Sequence, residues 1–257
     1  MARLAAHSLS GLPEVRAGDD LAGLIVAALD VDAPGTNQPL RDGEIVAIAH
    51  KVVSKAEGAV VALTEIVPSP EANKIASEQG KDPRAVQVVL DQSDEVLRAA
   101  NGVLICRTHH GFVCANAGVD TSNAASADTL IVLPRSPDAS ARRLRTRLGE
   151  LTGARPAVMI TDSFGRAWRH GQCDVAIGCA GLRPLDDWRG RTDSAGMELR
   201  ATWLAVADAI AATADLARAK DSREPVVILD GLERFVTEED GPGAVALLRP
   251  LDEDLFR

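Results

Sequence analysis

The fold class is set by Glu44-Ile45-Val46-Ala47-Ile48-Ala49-His50-Lys51-Val52-Val53-Ser54-Lys55-Ala56-Glu57-Gly58-Ala59-Val60-Val61-Ala62-Leu63. Its two apolar runs, residues 44–49 and 59–63, are short and continuous, which predicts two buried strands. A polar segment, residues 51–58, lies between them. On an extended chain Lys51, Val53 and Lys55 would project to one face, so both ammonium groups would converge on one polyphosphate. The same pattern fits a solvated sheet edge protected by lysines.

The rest of the chain alternates helical and strand patterns. We predict helices over 21–29, from Ser69-Pro70, from Asp82-Pro83 with helical spacing as far as Leu97, from Ser136-Pro137 to about Leu148, and from about Met197 to Ala219. We predict strands over 102–106, 129–133, 157–161 and 225–229, and a strand leading into a loop over 109–123. There is no internal repeat and no evident linker. The alternation therefore predicts an α/β or α+β fold and excludes a bundle or a sandwich.

Composition excludes several classes of partner. The 257 residues carry a net charge of −9, which disfavours non-specific binding to nucleic acid or to a membrane surface. No apolar run approaches the roughly 18 residues of a membrane span, and the first residues lack a signal-peptide pattern. The four cysteines form no C-x-x-C pair, which favours free, buried thiols. We therefore expect a soluble, cytoplasmic protein.

Lysine is scarce, and its placement is informative. Arg outnumbers Lys 23 to 5, yet Lys51 and Lys55 lie four positions apart. The sequence has no G-x-x-x-x-G-K-[ST] loop and no G-x-G-x-x-G after a strand. A bound nucleotide would therefore need an unusual cradle.

Two other segments are dense in oxygen-bearing side chains. Residues 118–123, Gly-Val-Asp-Thr-Ser-Asn, would suit a hard cation or a nucleotide, or an Asx-turn that caps a helix. At the end of strand 157–161, Asp162 and Ser163 resemble a Mg²⁺ or Mn²⁺ site, and Arg166 and Arg169 would bind carboxylate or phosphate. Surface salt bridging is the alternative for this second segment.

Three further features have plain structural interpretations. Glu198, at the start of the predicted 197–219 helix, would complement the helix dipole. His109-His110 has no acidic partner at a diagnostic spacing, which favours hydrogen bonding over metal ligation. Asp186-Asp187 fits a turn.

Taken together and in order, seven segments resemble the coenzyme F420-0:L-glutamate ligase family, the CofE-like γ-glutamyl ligases. They span nearly the whole chain: GLPEV (11–15), KVVSKAEG (51–58), GKDPR (80–84), HGFVCANAGVDTSN (110–123), TDSFGR (161–166), DVAIG (174–178) and PLDD (184–187). The final DEDLFR (252–257) is similar to the end of this domain in two-domain relatives. We therefore expect residues 1–257 to form a single ligase unit without an appended flavin-binding domain.

The resemblance implies an α+β fold of mixed sheets and flanking helices, without a phosphate loop, in a homodimer whose active site lies near the subunit interface. It implies GTP-dependent addition of L-glutamate, and then of further γ-linked glutamates, to coenzyme F420-0. The implied cofactors are Mg²⁺ or Mn²⁺, two per site, with stimulation by K⁺.

The resemblance also assigns residues to roles by matching position. Metal ligands would be Asp120, Asp162, Ser163 and Glu198, and catalysis would use Lys55, Asp120, Asp162 and Arg166. The GTP site would be lined by Leu12, Pro13, Glu14, Val15, His50, Lys55, Asn123, Gly196, Met197, Glu198, Leu199, Arg200, Ala201, Thr202 and Trp203.

The sequence departs from the family pattern at several positions. His50 stands where a small hydroxyl residue is usual, Arg107 where an acid is common, and Asp230 where Arg is common. The segment Ala205-Val206-Ala207-Asp208-Ala209 lacks a glutamate often found there. Two alternatives therefore stand beside the F420-0 ligase: an amide ligase for another carboxylate, and an inactive GTP-binding regulatory homologue.

Overall fold

The structure is a computed structural model that describes residues 3–32, 40–121, 128–219 and 221–254. These ranges contain twelve strands: β1 Ala5–Ser8, β2 Ile45–Ala49, β3 Val60–Ala62, β4 Ser93–Ala100, β5 Val103–Thr108, β6 Val113–Ala115, β7 Thr129–Ile131, β8 Ala157–Arg166, β9 Arg169–Ala180, β10 Leu185–Asp187, β11 Trp203–Ala205 and β12 Val226–Asp230. They also contain six α-helices: α1 Leu21–Asp32, α2 His50–Ala56, α3 Pro70–Gln79, α4 Pro83–Asp91, α5 Pro137–Thr152 and α6 Val206–Ala217. The predicted α+β class is confirmed.

A five-stranded sheet in the order β1-β12-β2-β8-β9 forms the main core. β2 and β8 run parallel with Ile45 opposite Ala157, and the other neighbours are antiparallel. Alternate side chains face opposite layers. Val46, Ile48 and Ile160 pack with α1, α2 and α5, whereas Ala47 and Met159 pack with α6. Because both faces are covered, β2 is apolar at every position.

A smaller part of the chain lies between β2 and β8. Helices α3 and α4 cover the antiparallel sheet β4-β5-β6, and β3 pairs with β7. Both helix starts follow the prediction, since the Ser69 and Asp82 side chains accept hydrogen bonds from Ala72 N and Arg84 N. β3 is less buried than predicted, because Val60 is 39% exposed.

The helix predicted through Leu97 ends at Asp91, so that prediction is wrong in its second half. Val96 and Leu97 belong to β4, which pairs with β5. The two strands are joined at Asn101-Gly102, whose φ angles are 53° and 76°. Asn-Gly with positive φ at both residues is the favoured two-residue hairpin turn, and this signal outweighs the helical spacing.

The helix predicted from Met197 begins instead at Val206, the start of α6. The preceding residues form an arm, residues 185–205, in which β10 pairs with β11 and Leu185 lies opposite Ala205. Farther along the arm Gly190 N donates to Leu199 O, and Thr192 bridges Glu198. The backbone hydrogen bonds of this segment therefore form across the arm and not within a helix.

The strand predicted over 157–161 continues to Arg166, because β8 and β9 form one long hairpin. Asp162 and Ser163 consequently lie within a strand and not beyond its end. All four cysteines lie in the described ranges and are free, as expected. Among the described residues, no helix combines the length and apolarity that crossing a bilayer requires.

Candidate functional site

Helix α2 begins at His50, directly after β2, where the sequence suggested an extended segment. In a helix, residues four apart share a face, so Lys51 and Lys55 still lie together, but Val53 does not join them. Val53 is 1% exposed and packs in the core below the helix. The two lysines therefore share a face because of helical geometry and not because of strand alternation.

Lys51 is held by a carboxylate from a distant segment. Its Nζ lies 2.6 Å from Oδ2 of Asp120. Asp120 is itself fixed by two backbone hydrogen bonds with Ile131, each 2.9 Å long. Both side chains keep access to solvent, at 22% and 36% exposure. The ion pair thus joins α2 to the turn that follows β6.

His50, the residue before Lys51, faces the second carboxylate. Its Nε2 lies 3.3 Å from Oδ1 of Asp162, without hydrogen-bond geometry, and its Nδ1 lies 3.4 Å from Ser54 Oγ. Burial raises the pKa of the nearby Cys114 thiol to about 12, and the Asp162 charge adds to the effect. The first turn of α2 therefore contacts both carboxylates, Asp120 through Lys51 and Asp162 through His50.

Ser163 lies on the other face of β8. Its Oγ donates to Oδ1 of Asp174 at 2.6 Å, and Thr161 Oγ1 donates to Oδ2 of the same carboxylate at 2.8 Å. Arg218 completes this buried group through an ion pair with Asp174. Neighbouring strand residues point to opposite faces, and the Ser163 backbone N donates to Oδ1 of Asp162 at 2.8 Å.

The segment 11–15 lies beside the other end of α2. Lys55 Nζ is 2.5 Å from Oε1 of Glu14, which is otherwise well exposed. Leu12 and Val15 anchor the segment in the core, and Pro13 is exposed between them. Lys55 and Leu12, Pro13, Glu14 and Val15, all predicted to line the GTP site, are therefore neighbours in this structure.

The predicted residues Gly196, Met197, Glu198, Leu199, Arg200, Ala201, Thr202 and Trp203 all lie in the arm. Trp203 is 50% exposed, and the Arg189 guanidinium stacks 4.2 Å from the centre of its ring. Glu198 forms an isolated antiparallel β-bridge with Thr192, and its Oε2 lies 3.7 Å from Nε of Arg200. It does not start a helix, which corrects the expectation that it complements a helix dipole.

Three further observations concern metal and anion binding. In the described part of the chain, no three His, Cys, Asp or Glu side chains lie close enough to hold a metal ion. Arg166 is exposed at the end of the β8–β9 hairpin, where its Nη2 donates to the backbone O of His170 at 2.5 Å. Asn123 lies outside the described residues.

Two of the other sequence departures have partners of their own. Nη2 of Arg107 on β5 lies 3.3 Å from Oε2 of Glu95 on β4. Oδ2 of Asp230, at the end of β12, lies 3.5 Å from Nη2 of Arg41. His109 pairs with Asp94, a partner that sequence spacing did not indicate, and this hydrogen bond raises its pKa.

Sequence reasoning missed the buried group centred on Asp174. Asp174 is 1% exposed and is the only acid in the run Cys173–Ala180, whose other residues are small or apolar. A single acid in an otherwise buried strand is the signal that would have identified it, because a buried carboxylate needs partners.

Fold and site together define an α+β protein with two carboxylates and two lysines gathered around a short helix, and comparison with known proteins identifies its family. The family model described as F420-0:Gamma-glutamyl ligase matches residues 11–231, and the chain belongs to that family.

Curated relatives agree over nearly the full length. The chain is 45% identical over 251 residues to "Coenzyme F420:L-glutamate ligase" of Methanothermobacter thermautotrophicus, covering 97% of each chain. It is 45% identical over 246 residues to the protein of that name in Methanopyrus kandleri, covering 95% of this chain and 94% of the relative. It is 41% identical over 259 residues to the Halobacterium salinarum protein of that name, covering 98% of this chain and 95% of the relative.

Proposed function

We propose that this protein is a GTP-dependent ligase that adds L-glutamate, and then further γ-linked glutamates, to coenzyme F420-0 during coenzyme F420 biosynthesis. The observation that carries the proposal is the cluster at the start of α2, where Lys51 meets Asp120 and His50 meets Asp162, in a chain of this family. The names of its relatives support L-glutamate and the coenzyme as substrates.

The reaction requires activation of a carboxylate, because a carboxylate does not react with an amine at neutral pH. The coenzyme carboxylate attacks the γ-phosphorus of GTP, which forms an acyl phosphate and releases GDP. The amine of glutamate then attacks the acyl carbon. A C–N bond forms, the C–O bond to phosphate breaks, and phosphate and a proton leave.

The lysines of α2 suit the charge of this reaction. A triphosphate accumulates negative charge on its oxygens during transfer, which positioned cations stabilise. Lys55 would bind the GTP phosphates beside Glu14, and Lys51 would leave Asp120 for the γ-phosphate. Arg166, at the end of the exposed β8–β9 hairpin, would add a further cation for the phosphates.

The carboxylates fit a hard divalent cation. Mg²⁺ binds through one or two carboxylates together with substrate phosphates and water, so Asp120 and Asp162 are a sufficient protein contribution. The Lys51 ammonium on Asp120 marks this position as one that favours positive charge. Bound there, Mg²⁺ or Mn²⁺ would neutralise the phosphates and order them for in-line transfer. K⁺ would stimulate the reaction.

We also propose a homodimer in which the arm reaches the partner. Glu198 lies on an exposed arm, and the contacts that the structure gives it are with Thr192 and Arg200. An arm that crosses a subunit interface would bring Glu198 and residues 196–203 to the Asp120 and Asp162 of the second copy. Ser163, bound to Asp174, would support β8 in this arrangement without contacting the cation.

The decisive experiment supplies purified protein with GTP, Mg²⁺ or Mn²⁺, L-glutamate and F420-0. The expected product is heavier by one glutamate, with stoichiometric GDP. GTP hydrolysis without a heavier product would contradict the proposal. A screen of other carboxylates by mass spectrometry would then identify a different acceptor, and GTP-dependent thermal stabilisation without any phosphate release would indicate an inactive homologue.

A further inference from the structure

A cavity of about 210 Å³ adjoins the Lys51–Asp120 pair. Its apolar wall is formed by Val86 and Val89 of α4, Leu104 of β5 and Leu130 of β7. Its polar residues are Lys81, Asn116, Asp120 and Thr121. Because Asp120 lines the cavity and also pairs with Lys51, the cavity opens beside the place where we propose that phosphoryl transfer occurs.

Lys81 supplies an uncommitted positive charge. It follows Gly80, which ends α3 with φ of 66°, and its backbone N donates to Ala76 O at 3.0 Å. Among the described residues, none pairs with its ammonium group. The adjacent carboxylate, Asp82, is occupied by Arg84, with N–H···O distances down to 2.6 Å.

Asn116 supplies a neutral donor. Its Oδ1 accepts a hydrogen bond from Leu104 N at 3.3 Å, which orients the amide so that Nδ2 is left as a donor. No described residue accepts from Nδ2. The backbone holds Asn116 and Ala117 at φ of 50° and 53°, a left-handed conformation that non-glycine residues adopt mainly at special sites.

We propose that this cavity binds the incoming L-glutamate, with Lys81 and Asn116 binding its side-chain carboxylate. This inference rests on the proposed function. The volume is below the range of roughly 300–1,000 Å³ that larger ligands require, so it suits an amino acid and not the ring system of the coenzyme. The apolar wall contacts the methylene groups, and the amine lies toward Asp120, where the acyl phosphate forms. Lys81 is thus a specificity-determining residue.

Lys81→Met tests the assignment, and Lys74→Met is its matched control. Both substitutions remove one lysine charge, but Lys74 is exposed on α3 and does not line the cavity. Loss of a charge-assisted hydrogen bond corresponds to about 10- to 100-fold in affinity. We expect Lys81→Met to raise the KM for L-glutamate by that factor and to leave the KM for GTP and F420-0 within about twofold.

Discrimination against L-glutamine provides a second readout. The ratio of kcat/KM for glutamate to that for glutamine should fall in Lys81→Met and partly recover in Lys81→Arg, because only a cation favours the carboxylate over the amide. A rise in the KM for F420-0 alone would assign the cavity to the coenzyme. Unchanged constants would overturn the inference while leaving the ligase function intact.

Direct binding separates this inference from the proposed function. Calorimetric titration of L-glutamate into the wild type, with a non-hydrolysable GTP analogue and Mg²⁺ present, should show saturable binding that Lys81→Met loses and Lys74→Met retains. If the wild type fails to ligate but shows this Lys81-dependent binding, the proposed function fails and the cavity assignment stands. Equal binding by all three proteins overturns the assignment.

Discussion

The Lys51 ammonium lies 2.6 Å from the Asp120 carboxylate and joins helix α2 to the turn after β6. The residue before it, His50, faces Asp162 on β8. Two carboxylates that are 42 positions apart in the chain therefore each contact one of two consecutive residues of one short helix. This relationship defines the candidate site.

Asp120→Asn should strongly reduce metal-dependent turnover with little loss of stability. A partly exposed ion pair contributes up to about 1 kcal/mol, so the melting temperature should change by only a few degrees. Loss of a charge that binds the cation should lower kcat by about 100-fold or more. Steady-state kinetics over a Mn²⁺ titration, with thermal denaturation beside it, measures both. Wild-type kinetics in this variant would show that Asp120 is not a ligand.

Lys55→Ala should weaken GTP binding. Removing a cation from a phosphate contact is expected to raise the Kd for GTP by about 10-fold, while the exposed partner Glu14 needs no replacement charge. Fluorescence titration with a labelled GTP analogue provides the measurement. Lys74→Ala is the control, since it removes an exposed lysine of α3. Equal affinity in both variants would remove Lys55 from the GTP site.

Mixing two inactive variants should restore activity if the arm crosses a dimer interface. In a mixed dimer of Asp120→Asn and Glu198→Gln, one site carries both defects and the other carries neither. Random reassociation should therefore recover about a quarter of wild-type activity. Each variant alone is the control. Absence of recovery, with dimer exchange verified by mass spectrometry, would place Glu198 in its own subunit's site or outside any site.

Asp174→Asn should be among the most destabilising polar substitutions in the chain. Asp174 and Arg218 are 1% and 9% exposed, and breaking a buried ion pair from one side costs about 3–5 kcal/mol. The matched control is Asp187→Asn, because Asp187 pairs with Arg189 at the surface, with side chains about half exposed. Urea unfolding of both variants gives the comparison. A similar small loss in the two would mean that the buried group contributes little to stability.

Asp208→Asn should stabilise the protein more as the pH rises. Burial raises the pKa of Asp208 above 3.8, although Ala176 N donates to its Oδ1 at 3.0 Å. The folded state therefore binds the proton more tightly than the unfolded state, so this group favours folding at low pH and that contribution is lost as the pH rises through the raised pKa. Asparagine keeps the acceptor oxygen without the charge.

The difference in melting temperature between Asp208→Asn and the wild type should therefore be near zero at pH 3 and positive at pH 7. Asp221→Asn, an exposed replacement of the same kind, serves as the control. A stability difference that does not depend on pH would disprove a burial penalty at Asp208.

Local sequence determined much of the architecture. The apolar runs of β2, β8 and β12, and the Ser69 and Asp82 caps of α3 and α4, lie where the pattern predicts them. Burial periodicity and capping depend on residues close in the chain, so they can be recognised without the fold. The ordered segments that resemble the ligase family likewise predicted the family that comparison confirms.

Tertiary structure decided the rest. Helical spacing continued through Leu97 and from Met197, but long-range pairing of β4 with β5 and within the arm replaced both predicted helices. Contacts between distant segments also decided which side chains meet: Asp120 with Lys51, Asp162 with His50, Ser163 with Asp174, and Lys81 with the apolar wall of its cavity. Spacing along the chain gives a residue's face within its own element, but its neighbours across the fold depend on how the elements pack.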